Sequence, residues 1–168
     1  PPRSTLFPYT TLFRSVLGIY YKNNFDHLLI YEISFMSKKT DYIQCNEAFV
    51  KTFGEGEEII EMPCGVRARR IASGEGDRHP NIRSVVSVHY TGRLINGRVF
   101  DDTRRTGIPA AFRLKDVITG WQIALPRMVP GDRWEICIPA AAGYGACKAG
   151  DIPANSTLIF DVELLSIA

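Results

Sequence analysis

The sequence predicts an α+β fold, an antiparallel β-sheet wrapped around one short α-helix. Three observations carry this. Apolar and polar residues alternate along several segments after residue 62. The one helix-like segment among them follows Gly120 and is cut short by Pro126 and Pro130. Strands and helices do not alternate as βαβ units, so a parallel sheet is not expected.

The chain has 168 residues, 45% of them hydrophobic and 23% charged, enough for one packed domain with an extension. A formal net charge of +2 gives no footprint for nucleic acid. The four cysteines form no CxxC pair and none stands near a histidine at zinc spacing. Free thiols fit a reducing compartment, and a cytoplasmic location is expected. No run approaches the roughly 18 apolar residues of a membrane helix, so no membrane association is expected.

Residues 1–15, PPRSTLFPYTTLFRS, repeat Thr-Leu-Phe and resemble a translated sequencing-adapter sequence. Met36-Ser37-Lys38-Lys39 looks like an ordinary start. Residues 1–35 are therefore expected to be a non-native or artefactual leader. A short helix is predicted over 40–53, and Gly54-Glu55-Gly56 ends it. Residues 36–61 then form an N-terminal helix and linker, and 62–168 the main domain. Strands are predicted over 65–72, 85–94, 112–114, 132–139 and 157–167, and a helix over 121–128. Asn96-Gly97 predicts a type I′ hairpin between the strand 85–94 and Val99-Phe100-Asp101-Asp102.

The returning arm of that hairpin places a carboxylate, Asp101, directly after a large aromatic. Burying a carboxylate is costly unless it is paired. No phosphate loop, metal cluster or nucleophile–base pair can be found, and His79 and His89 read as surface residues. An enzyme built on this chain would use no cofactor, no metal and no covalent intermediate. What remains is a scatter of aromatic and aliphatic residues at strand faces and strand ends.

Five motifs give that scatter a meaning. They are His89-Tyr90-Thr91-Gly92, Gly97-Arg98-Val99-Phe100-Asp101, Val117-Ile118-Thr119-Gly120-Trp121, Gly143-Tyr144-Gly145 with Ile152-Pro153, and the closing Thr157-Leu158-Ile159-Phe160-Asp161-Val162. In this order they resemble the FKBP-type peptidyl-prolyl cis/trans isomerases, over about residues 62–168. The lead-in strand is similar to that of bacterial macrophage-infectivity-potentiator-like members. The resemblance implies an FKBP-like fold and an isomerase acting on Xaa-Pro bonds of folding proteins. It implies proline-containing polypeptides as partners, with macrolides as inhibitors.

Carried over by motif, the resemblance makes Trp121 the floor beneath the substrate proline. It makes Tyr90, Phe100, Phe160, Val117 and Ile118 the walls, with Phe112 and Ile152 completing them. Tyr144 would donate its hydroxyl to one substrate carbonyl and Ile118 its N–H to another. Asp101 would be the polar group inside the pocket, hydrogen-bonded by Tyr90. The catalytic set is thus Asp101, Tyr144, Tyr90 and Phe100. The segment 102–105 is more basic than is usual in the family, and the loop from Tyr144 to Ile152 carries Cys147 and Lys148 in place of aromatics. The alternative is a non-catalytic proline-peptide-binding or holdase module, which should carry an added hydrophobic flap that this loop lacks. One short N-terminal helix predicts a monomer.

Overall fold

The computed structural model describes residues 26–168. The adapter-like stretch and most of the expected leader lie outside the described residues. The chain divides after Thr40 into two units. Of the first, the described residues form the opening half of a helix, α1 (Asp26–Thr52). The second unit holds the rest of α1 and the whole sheet.

The helix begins well before the predicted position 40 and passes through Met36. The early turns, DHLLIYEISFMSKK, present no apolar stripe at a 3.6-residue period, so the usual helical signal is missing there. Its end is as expected: Gly54, at φ 68°, takes the left-handed conformation that closes helices.

Seven strands form one antiparallel sheet. They are β1 (Ile60–Glu61), β2 (Arg67–Ala72), β3 (Val85–Leu94), β4 (Val99–Asp102), β5 (Ala110–Arg113), β6 (Arg133–Ile138) and β7 (Leu158–Ile167). Their order is β1-β2-β6-β7-β3-β4. The free side of β3 is shared: Val85–Val88 pair with β5, while Thr91–Arg93 pair with β4. This split leaves the middle of β3, at Tyr90, between two short strands.

Alternation along β3 sends Val86, Val88, Tyr90 and Leu94 to the inner face. Leu158, Phe160, Val162 and Leu164 of β7 join them, with Trp134, Ile136 and Ile138 of β6. Against this face lies a helix, α2 (Thr119–Ala124), followed by a 3₁₀ turn, Leu125–Arg127. The predicted single helix over 121–128 is thus two pieces, because Pro126 removes the donor that would continue the α-helix. Trp121, Ala124, Leu125 and Met128 are buried from this segment. Each fully buried large aliphatic side chain is worth about 1.5–3 kcal/mol. Gly120 permits the close approach: a Cβ there would lie 2.5 Å from Ile138 Cγ2.

The hairpin differs from expectation. Asn96 does not take positive φ; Gly97 alone does, at 85°. The Leu94 N–H donates to the Arg98 carbonyl and the Gly97 N–H to the Leu94 carbonyl, at 2.9 Å each. This is a three-residue loop, a turn followed by a left-handed glycine. Asn96 Oδ1 accepts the Arg98 N–H at 3.0 Å, a local side-chain contact typical of asparagine in turns.

The outer face carries ion pairs. Glu135, 7% exposed, joins Arg69 at 2.7 Å and Arg93 at 2.5 Å. Asp161 accepts from Arg133 at 2.7 and 2.8 Å and from Arg104 at 3.2 Å. Arg67 reaches the end of α1, donating to the Val50 carbonyl at 2.9 Å and the Lys51 carbonyl at 2.6 Å. Among the described residues, no helix is long and apolar enough to cross a membrane.

Candidate active-site cleft

A cleft of about 520 Å³ opens where β3 meets the split between β4 and β5. Trp121 is its centre. The indole is 4% exposed, and three rings stand nearly perpendicular to it. Tyr90 lies 5.1 Å away at 89°, Phe160 5.4 Å at 81° and Phe112 5.6 Å at 86°. Phe100 packs edge-on to Phe160 at 5.6 Å. Such edge-to-face contacts each add about 0.5–1.5 kcal/mol beyond burial, so the floor and walls are pre-organised. The indole Nε1 is buried with no acceptor among the described residues. Trp121 therefore presents mainly apolar ring surface to the cleft.

Each side chain arrives by its element. Tyr90 is the inward residue at the centre of β3, and Phe160 the inward residue of β7 that pairs opposite Gly92. That pairing needs glycine. A Cβ at Gly92 would meet the Phe100 ring at 2.5 Å and the Phe160 ring at 2.8 Å. Val117 and Ile118 lead into α2, and Tyr144 and Ile152 hang from the connection between β6 and β7.

Tyr90 is 7% exposed, and its hydroxyl donates to Asp101. Burial, then the hydrogen bond to Asp101, then the nearby Tyr144 push its phenol far above the ordinary value of 10. Tyr90 is thus a fixed neutral donor. Asp101 is exposed, not buried in the pocket as expected. It follows Phe100 on β4, and strand alternation turns it to the rim as the phenylalanine turns in. Its desolvation cost is therefore small.

All ten residues singled out from the sequence line this one cleft. Tyr144 is 42% exposed at its mouth. The Ile118 N–H has no acceptor among the described residues, since the helix starts just after it. Asp116, Ala149, Gly150 and Asp151 also line the cleft and were not anticipated. Asp116 directly precedes Val117 and Asp151 precedes Ile152, so chain adjacency was the available signal. No His, Cys, Ser or Lys lines the cleft among the described residues. His79 is exposed, its Nδ1 3.0 Å from the Met128 carbonyl, while His89 is half-buried against Thr103 Oγ1 at 3.1 Å.

The arrangement is an indole-floored, aromatic-walled hollow with carboxylates and the Tyr144 hydroxyl among its lining. The chain belongs to the FKBP-type peptidyl-prolyl cis-trans isomerase family, whose description matches residues 76–165. It is 48% identical over 111 residues to the macrophage infectivity potentiator of Trypanosoma cruzi, covering 66% of this chain and 57% of that one. To the FKBP-type 22 kDa peptidyl-prolyl cis-trans isomerase of Escherichia coli it is 48% identical over 112 residues, 66% of this chain and 54% of the other. The chain thus spans about half the length of the curated relatives it matches. Among solved structures, a peptidyl-prolyl cis-trans isomerase from Pseudomonas syringae superposes with a TM-score of 0.71 at 32% identity, covering 77% of this chain and 95% of that one. FkpA from Escherichia coli gives 0.74 at 27% identity, covering 94% and 79%.

Proposed function

We propose that the chain accelerates rotation about Xaa-Pro peptide bonds of folding proteins, with no cofactor and no covalent intermediate. The observation that carries this is the perpendicular set of rings around Trp121, closed below and open to peptide above. The Xaa-Pro barrier is about 20 kcal/mol because amide resonance must be broken. Planar resonance places charge on the carbonyl oxygen, and twisting withdraws it. A dry apolar site disfavours the charged planar form and so favours the twisted one. Trp121, Phe160 and Phe112 fit the proline ring. The Tyr144 hydroxyl and the Ile118 N–H hold flanking carbonyls. Tyr90, locked neutral, fixes the Asp101 carboxylate beside the rotating bond. A thousandfold acceleration needs about 4 kcal/mol, within reach of a few such contacts.

The test is refolding of a protein whose slow phase is limited by an Xaa-Pro bond. Substoichiometric chain should speed that phase, and a macrolide that fills the cleft should abolish the effect. An unchanged slow phase with aggregation suppressed would replace this reading by the holdase.

Two finer readings accompany it. For assembly, we propose a monomer: the end of α1 spends its polar contacts on its own chain, with Asn46 buried against Thr157 and Arg67 donating to the Val50 and Lys51 carbonyls. Light scattering should then give 18.8 kDa, and twice that mass would contradict it. For location, four unpaired thiols support the cytoplasm. One relative, from Legionella longbeachae, is named an outer membrane protein, and fractionation of the native host decides.

A further inference from the structure

The end of α1 and the connection between β6 and β7 meet through polar contacts that peptide binding does not require. Asn46 is 2% exposed in mid-helix, where asparagine is a poor helix former. Its Oδ1 accepts the Thr157 N–H at 2.7 Å, and its main-chain carbonyl accepts the Thr157 hydroxyl at 3.1 Å. Its Nδ2 donates to the Tyr42 carbonyl at 2.8 Å, so the side-chain amide is engaged at both ends.

One turn earlier, the Tyr42 hydroxyl lies 2.8 Å from Ser156 Oγ. The serine spends its own proton on the Pro153 carbonyl at 2.6 Å, so Tyr42 is the donor. Pro153 adjoins Ile152 of the cleft. Asn155, in the left-handed region at φ 61°, donates its N–H to the Gly145 carbonyl at 2.8 Å, beside Tyr144. Two short paths thus run from α1 to the two residues that hang over the cleft.

Apolar packing across this junction is incomplete. A hollow of about 330 Å³ remains between the helix, at Ile43 and Val50, and the connection, at Pro139, Ala141 and Ala146. A loop that borders empty space can shift, so the buried hydrogen bonds set its place.

We propose that Asn46, assisted by Tyr42, is a positioning residue that holds Tyr144 and Ile152 at the mouth of the cleft. The proposal rests on the isomerase reading. It is tested in the full chain by kcat/KM for an Ala-Leu-Pro-Phe peptide, with Asn46→Leu made in the parent and in Tyr144→Phe. We expect about a fivefold loss in the parent and less than about twofold in Tyr144→Phe, because the two changes remove one function. Asn46→Asp, which keeps the Oδ1 acceptor but buries a charge and turns an oxygen toward the Tyr42 carbonyl, should not recover the rate. Tyr42→Phe, which deletes one hydroxyl, should move the amide resonances of Tyr144, Gly145 and Ile152 and leave those of β3 in place. Equal losses in both backgrounds, or unmoved resonances at 144–152, overturn the positioning role alone. A parent chain without acceleration overturns the isomerase reading, and the positioning role with it.

Discussion

Tyr90 is both a core residue and part of the cleft wall. Its folded pKa is raised, so the neutral phenol is the form the folded state favours. That contribution to stability is fully present below the ordinary value of about 10 and is lost as pH rises through the raised one. The difference in 295 nm absorbance between the parent and Tyr90→Phe should therefore show no phenolate between pH 8 and pH 11. Tyr90→Phe should also lower kcat/KM by about tenfold, the loss of one hydrogen bond to a charged group. Asp101→Ala removes the acceptor of the buried Tyr90 hydroxyl, so it should cost about 1–3 kcal/mol, read as a lowered urea midpoint, and lower kcat/KM at least as much as Tyr90→Phe.

At the scale of elements, the site depends on how closely strands approach. Gly92→Ala would press a methyl into the rings of Phe100 and Phe160, at 2.5 and 2.8 Å. A cost of about 1–3 kcal/mol is expected, read as a lowered urea midpoint at unchanged slope. The outer face answers to acid. Burial alone would raise the Asp161 pKa, but hydrogen bonds and charge from Arg133 and Arg104 outweigh it and hold it below the usual range. A depressed carboxylate stabilises the fold above the ordinary value near 3.9, and that stability is lost as pH falls through the native value. Asp161→Asn should thus cost about 1 kcal/mol at pH 7, screened because the pairs are partly exposed, and progressively less as pH falls below the ordinary carboxylate range toward pH 2. Urea titrations at the two pH values check this.

At the scale of the molecule, most of the architecture was legible because strand alternation is a local signal. Residues 85–94 alternate without interruption, and β3 occupies that span. The cleft was legible through motif order: ten residues scattered from Tyr90 to Phe160 converge only because β3, β4, β5, β7 and α2 share one face. What escaped were features without a local period. The first turns of α1 lack an apolar stripe. The hairpin at Asn96 hides one extra loop residue, which dipeptide propensity does not count. The contact of Asn46 with Thr157 joins residues far apart in sequence and cannot be read from neighbours along the chain.

The central claim is that this cleft lowers a rotational barrier. It is tested most directly by two-dimensional NMR exchange between the cis and trans forms of an Ala-Leu-Pro-Phe peptide, with the full chain added in small proportion. The exchange rate should rise in proportion to added chain, a macrolide should block it, and replacing Trp121 with leucine should abolish it. Peptide resonances that shift on binding while the exchange rate stays at its uncatalysed value would contradict the claim, and would leave a cleft that recognises proline without turning it.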